Sequence, residues 1–336
     1  MGCTNSTEIN VRRSQIQLFE ADGEEQLNEQ NNKGIQNGKK KPKPIIYRAI
    51  QTQKKTTNMS NSFDAKEVKQ IVIKNMTFNI ANQDSHKGFS QYRAKNIAKH
   101  IAEINPDIVG FQELRENSCI KKNQLEKILI ELQNIQPDFR WYSVWVPSMI
   151  YKKAGISTCV EGLGLISRFP IKSFKQEFIP LEKNAKDKNQ RSILFVELQD
   201  IDLQYCVTHL SQVDEDQIEQ TKHLRKIIDN QYAKSEKNLK QIILGDFNYH
   251  NEEKTKYLLE DEDIRGFKDT AIELNNLQNT WNLYRYDRIY YRGSGLIPIK
   301  IYSQEGCSCN VKQTGYCINH YCSDHFSLTS EFTYEL

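Results

Sequence analysis

Short apolar, β-branched runs alternate along the chain with segments of helical period. Val72 to Ile80 is rich enough in Val, Ile, Met and Phe to read as a buried strand. Gln91 to Ile104 reads as a helix, because Ile97, Ile101 and Ile104 fall at i, i+4 and i+7 and form one stripe. Pro106 stops it, and Asp107 to Gln112 is the next strand. Lys122 to Ile135 is a second amphipathic helix, and Asp214 to Tyr232 is a long, charged third one. Strands are expected at Trp141–Val146, Leu163–Ser167, Phe174–Ile179, Ser192–Leu198, Gln204–Thr208, Lys240–Leu244, Arg285–Tyr291, Ile297–Tyr302 and Phe326–Phe332. Many strands with a few helices indicate an α/β (α+β) domain. No internal repeat is visible.

Four apolar runs meet a polar motif at one end. Thr77-Phe78-Asn79 ends IVIKNM, and Gln112-Glu113 follows DIVGF. Gly245-Asp246-Phe247-Asn248 follows QIIL, and Ser323-Asp324-His325 precedes FSLTSEF. Buried strands that carry polar groups at their ends let a rigid sheet aim those groups at one point. A cluster of Asn, Glu, Asp and His is hard and oxygen-rich, with one proton carrier. It suits Mg2+ and a phosphate ester, and it suits zinc or a nucleophilic serine poorly. Singly, each residue has an ordinary reading: Glu113 as a solvated strand end, Asn79 as a turn cap, Asp246 and Asn248 as a turn.

In order and spacing these motifs resemble the endonuclease/exonuclease/phosphatase superfamily, the deoxyribonuclease I-like fold. Val207-Thr208-His209-Leu210 looks like its histidine strand, and Tyr286-Asp287-Arg288-Ile289 like its late Asp strand. The resemblance runs from about Ile71 to Phe332. It implies two mixed β-sheets packed face to face with helices outside, a four-layer sandwich. It implies Glu113 as principal Mg2+ ligand, with Asn79 orienting it or touching the metal, and Asp324 facing the metal. Mn2+ is the alternative ion. By the same resemblance Asp246 orients or deprotonates the attacking water, and Asn248 bonds a phosphate oxygen or the nucleophile. His209 and His325 donate to the transition state, Asp287 holds the His325 ring, and Arg191 lies near the phosphate. One position departs from the pattern: Ala81 stands where much of the family has an Asp. His86, His100, His223, His250 and His320 fall in no motif.

The chain has 336 residues and net charge +3, and its first 66 carry eleven Lys/Arg against seven Asp/Glu, which leaves the remainder at −1. A near-neutral domain argues against bulk binding of duplex DNA, which needs many basic contacts. No run of 18 apolar residues and no apolar leader are present, so the eight cysteines are expected reduced, in a cytosolic chain. Residues 1–66 are rich in Asn, Gln, Glu and Lys, and are expected to be a disordered arm ahead of a catalytic domain at 67–336. Met1-Gly2-Cys3-Thr4-Asn5-Ser6 fits N-myristoylation at Gly2, with Cys3 available for palmitoylation. Two acyl chains would hold the protein on the cytoplasmic face of a membrane, with Lys39 to Lys43 touching anionic lipid. Without acylation the expected place is cytoplasm or nucleus. Cys307, Cys309, Cys317 and Cys322 fall within sixteen residues and could close a structural zinc site or be free thiols in a loop.

The expectation is therefore a monomeric, Mg2+-dependent phosphate-ester hydrolase working by in-line water attack. Asn279-Thr280-Trp281-Asn282 followed by Tyr286 to Arg292 is similar to the tyrosyl-DNA phosphodiesterase branch, which implies a nucleic-acid end as substrate. GDFNYH with DRIYYRG looks like a loosened inositol 5-phosphatase pattern, and the acyl motif suits a lipid head group, as in sphingomyelinase-type chemistry. A binding module that kept the fold and lost turnover is the third reading, and Ala81 is its support.

Overall fold

The computed structural model describes residues 70–81, 91–117, 123–153, 157–199, 201–233, 239–249, 251–259, 266–306 and 322–335. Along them run β1 (Gln70–Asn79), α1 (Gln91–Ile104), β2 (Ile108–Asn117), α2 (Gln124–Ile135), β3 (Tyr142–Lys153) and β4 (Ser157–Ser167). Next come β5 (Ile171–Phe178), β6 (Ser192–Leu198), β7 (Leu203–His209), α3 (Asp214–Ala233) and β8 (Lys240–Asp246). A 3-10 turn at Glu252–Thr255 leads into α4 (Lys256–Leu259). The remainder is β9 (Lys268–Asp269), α5 (Thr270–Glu273), β10 (Asp287–Arg292), β11 (Leu296–Gln304) and β12 (Ser327–Glu335).

The strands form two six-stranded sheets, ordered β11-β12-β1-β2-β4-β3 and β5-β6-β7-β8-β10-β9. Each sheet is antiparallel except for one pair. β1 and β2 run parallel in the first sheet, with Asn79 beside Gln112. β7 and β8 run parallel in the second, with His209 beside Asp246. Parallel neighbours end on the same side, so each sheet delivers two polar strand ends to one rim. Antiparallel neighbours begin where those strands end: Asp287 opens β10 opposite Asp246, and His325 precedes β12 beside β1.

Three apolar clusters make four layers. The central one joins the inner faces of both sheets, including Ile73, Leu165, Val196, Tyr205, Leu244 and Phe332. Gly110 lets the sheets approach: a Cβ there would lie 2.9 Å from the Leu244 Cβ of the facing sheet. Ala94, Ile97, Ala98, Ile101 and Ile104 of α1 pack with α2 on the outside of the first sheet. This is the stripe its period predicts, and α1 spans the expected residues.

The outer helix on the second sheet is different. The buried face of α3 is Gln217, Gln220, Thr221, Leu224, Arg225 and Ile228, mostly polar. Gln217 Nε2 donates to Ser211 O and Asn248 O, and Gln220 Oε1 accepts from Ser211 N. Thr221 meets the Tyr249 hydroxyl. The helix thus satisfies the backbone of the two loops that follow β7 and β8, which a plain apolar stripe could not do.

The sequence pattern underestimates the β3–β4 hairpin. Its strands run past Val146 and begin well before Leu163, in register down to Lys153 opposite Ser157. The missed stretch mixes polar and apolar residues without regular alternation and is interrupted by Pro147, which sits at a register shift in β3. The short elements α4, β9 and α5 carry too few residues to show a period. Residues 1–66, with Gly2, Cys3 and the Lys39–Lys43 run, lie outside the described residues, as do His86, His250, Cys307, Cys309, Cys317 and His320.

Candidate active site

Seven of the expected site residues meet at the shared rim. Asn79 is fully buried at the end of β1, and its side-chain amide is held by its neighbours. Ala81 N–H donates to Asn79 Oδ1 at 2.9 Å, which leaves the amide nitrogen facing the two carboxylates. That nitrogen donates to Glu113 Oε1 at 3.0 Å and to Asp246 Oδ2 at 2.8 Å. One amide from the first sheet thus ties a carboxylate of its own sheet to one of the other.

Glu113 reaches this point through a bulge. The pairing of β2 with β4 slips between Phe111 and Leu114, and Glu113 adopts φ of +59°. A non-glycine residue rarely takes that conformation, and an extra strand residue there turns the side chain off the regular alternation. The carboxylate is the one acid of the group with substantial access to solvent, 17% of its side chain. Asn248 is strained in the same way, at φ of +54°. Its backbone N–H donates to Asp246 Oδ1 at 2.9 Å and its side chain donates to Leu210 O at 3.1 Å. Gly245 is needed for packing rather than for a turn, because a Cβ would meet Thr208 O of β7 at 2.9 Å.

His209 and His325 flank Asp246. Their Nε2 atoms lie 3.7 and 3.8 Å from Asp246 Oδ2, and His209 Nε2 is 4.0 Å from Glu113 Oε1. His325 Nδ1 bonds Asp287 Oδ2 at 2.7 Å. Burial pulls the His325 pKa down, but the Asp287 charge and hydrogen bond, with Asp246 and Asp324, outweigh it and push it up to about 10. His325 is therefore a cation at neutral pH. His209 goes the other way: burial, then the charges of Arg191 and His325, hold it well below the ordinary value, so it is neutral. Burial and the Asp287 carboxylate raise Asp246 to about 7, against the pull of His325 and the Asn79 and Asn248 donors.

Arg191 is buried beside this group. Its Nη2 donates to Asp187 Oδ2 at 2.9 Å, and its charge reaches His209. Asp324 is half-buried and makes no hydrogen bond with the cluster. Cys322 lies in the apolar cluster under α1 and α2, away from solvent. His100, buried against Phe78, bonds Ser327, and His223 pairs with Glu182 at the surface.

Among the described residues, His209 Nε2, Arg191 Nη1 and Asp287 Oδ1 are buried site atoms with no hydrogen-bond partner. Such atoms are costly unless something binds them. Two are nitrogens suited to an anion, and one is a carboxylate oxygen suited to a cation. Asp246, Asp287 and His325 also bring ligand atoms within 4.8 Å of one another. This donor set fits a hard divalent cation with a phosphate group beside it.

Sequence reasoning missed Arg93, Ser323 Oγ, Gln217 and Gln220, which fix the loops. Ser323 Oγ donates to Asn79 O at 2.5 Å and accepts from His325 N–H at 3.0 Å. The one readable signal was α3, whose polar stripe had no solvent reason.

The profile of the Endonuclease/Exonuclease/phosphatase family matches residues 76–325. No curated protein matches the chain in sequence. Among solved structures, an endonuclease/exonuclease/phosphatase family protein from Leptotrichia buccalis C-1013-b is 17% identical over 77% of this chain and 99% of its own, TM-score 0.56. The endonuclease/exonuclease/phosphatase from Beutenbergia cavernae DSM 12333 is 18% identical over 79% and 72%, TM-score 0.57. A truncated TDP2 from Caenorhabditis elegans is 17% identical over 78% and 97%, TM-score 0.52. At these identities the structures share the fold.

Proposed function

Since the chain belongs to the endonuclease/exonuclease/phosphatase family, whose members hydrolyse phosphate esters, we propose that it is a Mg2+-dependent phosphodiesterase acting on a phosphate that carries a planar group, such as a nucleic-acid end. The observation that carries the substrate class is an aromatic stack beside His325. Trp281 and Tyr286 stack at 5.3 Å, and Tyr284 and Tyr286 at 5.4 Å with their planes 3° apart. Tyr286 is 6.4 Å from the His325 ring. The stack ends in a two-residue turn with Asn282 at φ of +50°, where Leu283 is 84% and Tyr284 42% exposed. Thr280 secures it: its Oγ1 accepts from Asp287 N–H and its O from Phe326 N–H. Parallel aromatic rings that emerge into solvent next to a phosphate site suit base or aryl stacking.

Glu113 would hold the ion, with Asp246 beside it through the shared Asn79 amide, which orients both carboxylates. A bound Mg2+ would neutralise phosphate charge and stabilise the leaving oxygen. Asp246 takes the proton of a water molecule as that water attacks phosphorus in line. Its raised pKa makes it a competent base near neutral pH. The His325 cation, the neutral His209 and the orphaned Arg191 nitrogen donate to the equatorial oxygens, where charge builds most in the transition state. Glu113→Gln is expected to raise the Mg2+ concentration for half activity by roughly 10-fold or more, since a neutral amide binds a hard dication poorly. A Mg2+ titration decides this; an unchanged midpoint would assign the metal to another carboxylate.

A second reading rests on the arm. Gly2 and Cys3 fit dual acylation, which would bring a lipid or inositol-phosphate substrate within reach of the site. One panel separates the two: turnover of the p-nitrophenyl ester of thymidine 5′-phosphate, a 5′-tyrosyl oligonucleotide, and vesicles of sphingomyelin or phosphoinositide, each with and without Mg2+. The first two should be substrates, and Tyr284→Ala should raise their KM by roughly 5- to 100-fold, the worth of one stacking contact. Turnover of the vesicles alone would replace this reading with the lipid one.

A further inference from the structure

The motif residues do not explain what holds the β1 end and the histidine loop at a fixed separation. Arg93, in the first turn of α1, lies between them and is buried. Its Nη2 donates to Ala81 O at 2.7 Å and to Cys322 O at 2.9 Å, and its Nε donates to Cys322 O at 3.2 Å. Ala81 follows Asn79 by two residues, and Cys322 precedes His325 by three. Ala81 is itself at φ of +46°, so its carbonyl is presented by a turn no regular strand would make. Ser323 completes the tie by bonding both Asn79 O and His325 N–H.

We propose that Arg93 is a positioning residue that sets His325 against Asn79 and Asp246 by bridging the carbonyls of Ala81 and Cys322. A planar guanidinium is suited to this. It offers several donors in a fixed fork, and a single one spans the carbonyl after β1 and the carbonyl of the histidine loop. Without it two buried carbonyls lose the guanidinium donor, and the histidine loop is left to the Ser323 tie, the Asp287 bond to His325 and the Phe326 N–H bond to Thr280 O. His325 would then sample positions outside the reach of the phosphate. An offset of about 1 Å in a reacting group costs on the order of 100-fold in rate.

The kinetic test rests on the phosphodiesterase reading, and a second measurement does not. With the full chain, Mg2+ and the p-nitrophenyl ester of thymidine 5′-phosphate, R93M should lower kcat by roughly 10- to 100-fold and leave KM within about twofold. R93K, which keeps the charge and a donor, should recover part of the loss; it also serves if R93M does not fold. The discriminating step is a double-mutant cycle with H325A. If Arg93 acts through His325, R93M/H325A should be no slower than H325A alone. An equal further loss in the H325A background, or an unchanged kcat in R93M, overturns the proposal. If the wild type fails to turn over the probe, the functional reading falls, and NMR of the metal-free protein decides on Arg93. The His325 ring resonances should shift or broaden in R93M while those of surface His223 stay in place. An unmoved His325 signal overturns the proposal.

Discussion

Asp246→Asn should fold as well as the wild type and lose kcat by roughly 10^2- to 10^4-fold, the span of a general base. Folding is spared because the amide oxygen can still accept one of the two donors that Asp246 holds, Asn248 N–H at 2.9 Å or Asn79 Nδ2 at 2.8 Å, and only the other is lost. The substitution also removes a buried negative charge directly opposite Asp287; burial first, and then that neighbouring charge, raise Asp246. The melting temperature should therefore hold or rise while turnover collapses. Circular dichroism melts and kcat on the thymidine ester test both halves together. Turnover near the wild-type rate in a folded variant would take Asp246 out of the mechanism.

Asp287→Asn should cost about 100-fold in kcat at mildly alkaline pH and less in acid. The wild-type pH–rate profile should be a bell: rising as Asp246 loses its proton near 7, or lower with Mg2+ beside it, and falling as His325 loses its own near 10. Without the Asp287 charge and hydrogen bond, only Asp246 and Asp324 oppose the burial of His325, and its pKa falls. The alkaline limb then moves to lower pH and the bell narrows. Stability follows the same proton. His325 binds it more tightly folded, at about 10, than unfolded, at 6.5. The contribution is complete below pH 6.5 and fades as pH rises through 10. The melting-temperature gap between wild type and variant should be widest near pH 6 and close toward pH 10. A gap that widens with pH would mean that His325 is neutral in the folded protein.

The architecture was legible because its cues are local. Apolar runs of strand length and the isoleucine stripe of α1 each state their own geometry. The strand ends carried more, since a polar residue closing an apolar run must lie at a rim. That both parallel pairs end at the same rim is a property of sheet order, and no single run reveals it. The posture of Glu113 was hidden for a related reason. Its bulge exists only relative to β4, so neither φ of +59° nor the turned side chain is written in DIVGFQE. The Asn79 amide orientation depends on Ala81 N–H, a backbone donor that every sequence has. The β3–β4 extension escaped because cross-strand pairing, rather than an alternating pattern, sustains it.

The polar face of α3 has a bearing on how the molecule breathes. Gln217, Gln220 and Thr221 hold Ser211, Asn248 and Tyr249 directly, so the helix cannot lift without freeing both loops of the second sheet. Helix and loops should open as one cooperative unit rather than fray separately. Amide hydrogen exchange should show Ser211 N–H, bound to the Gln220 side chain, exchanging at the rate of the α3 interior. Asn248 N–H, bound to Asp246, should share that rate, while amides of β8 below it exchange far more slowly. In that unit the half of the site on the second sheet would have the lifetime of a single helix, while the β1 end would keep that of the sandwich.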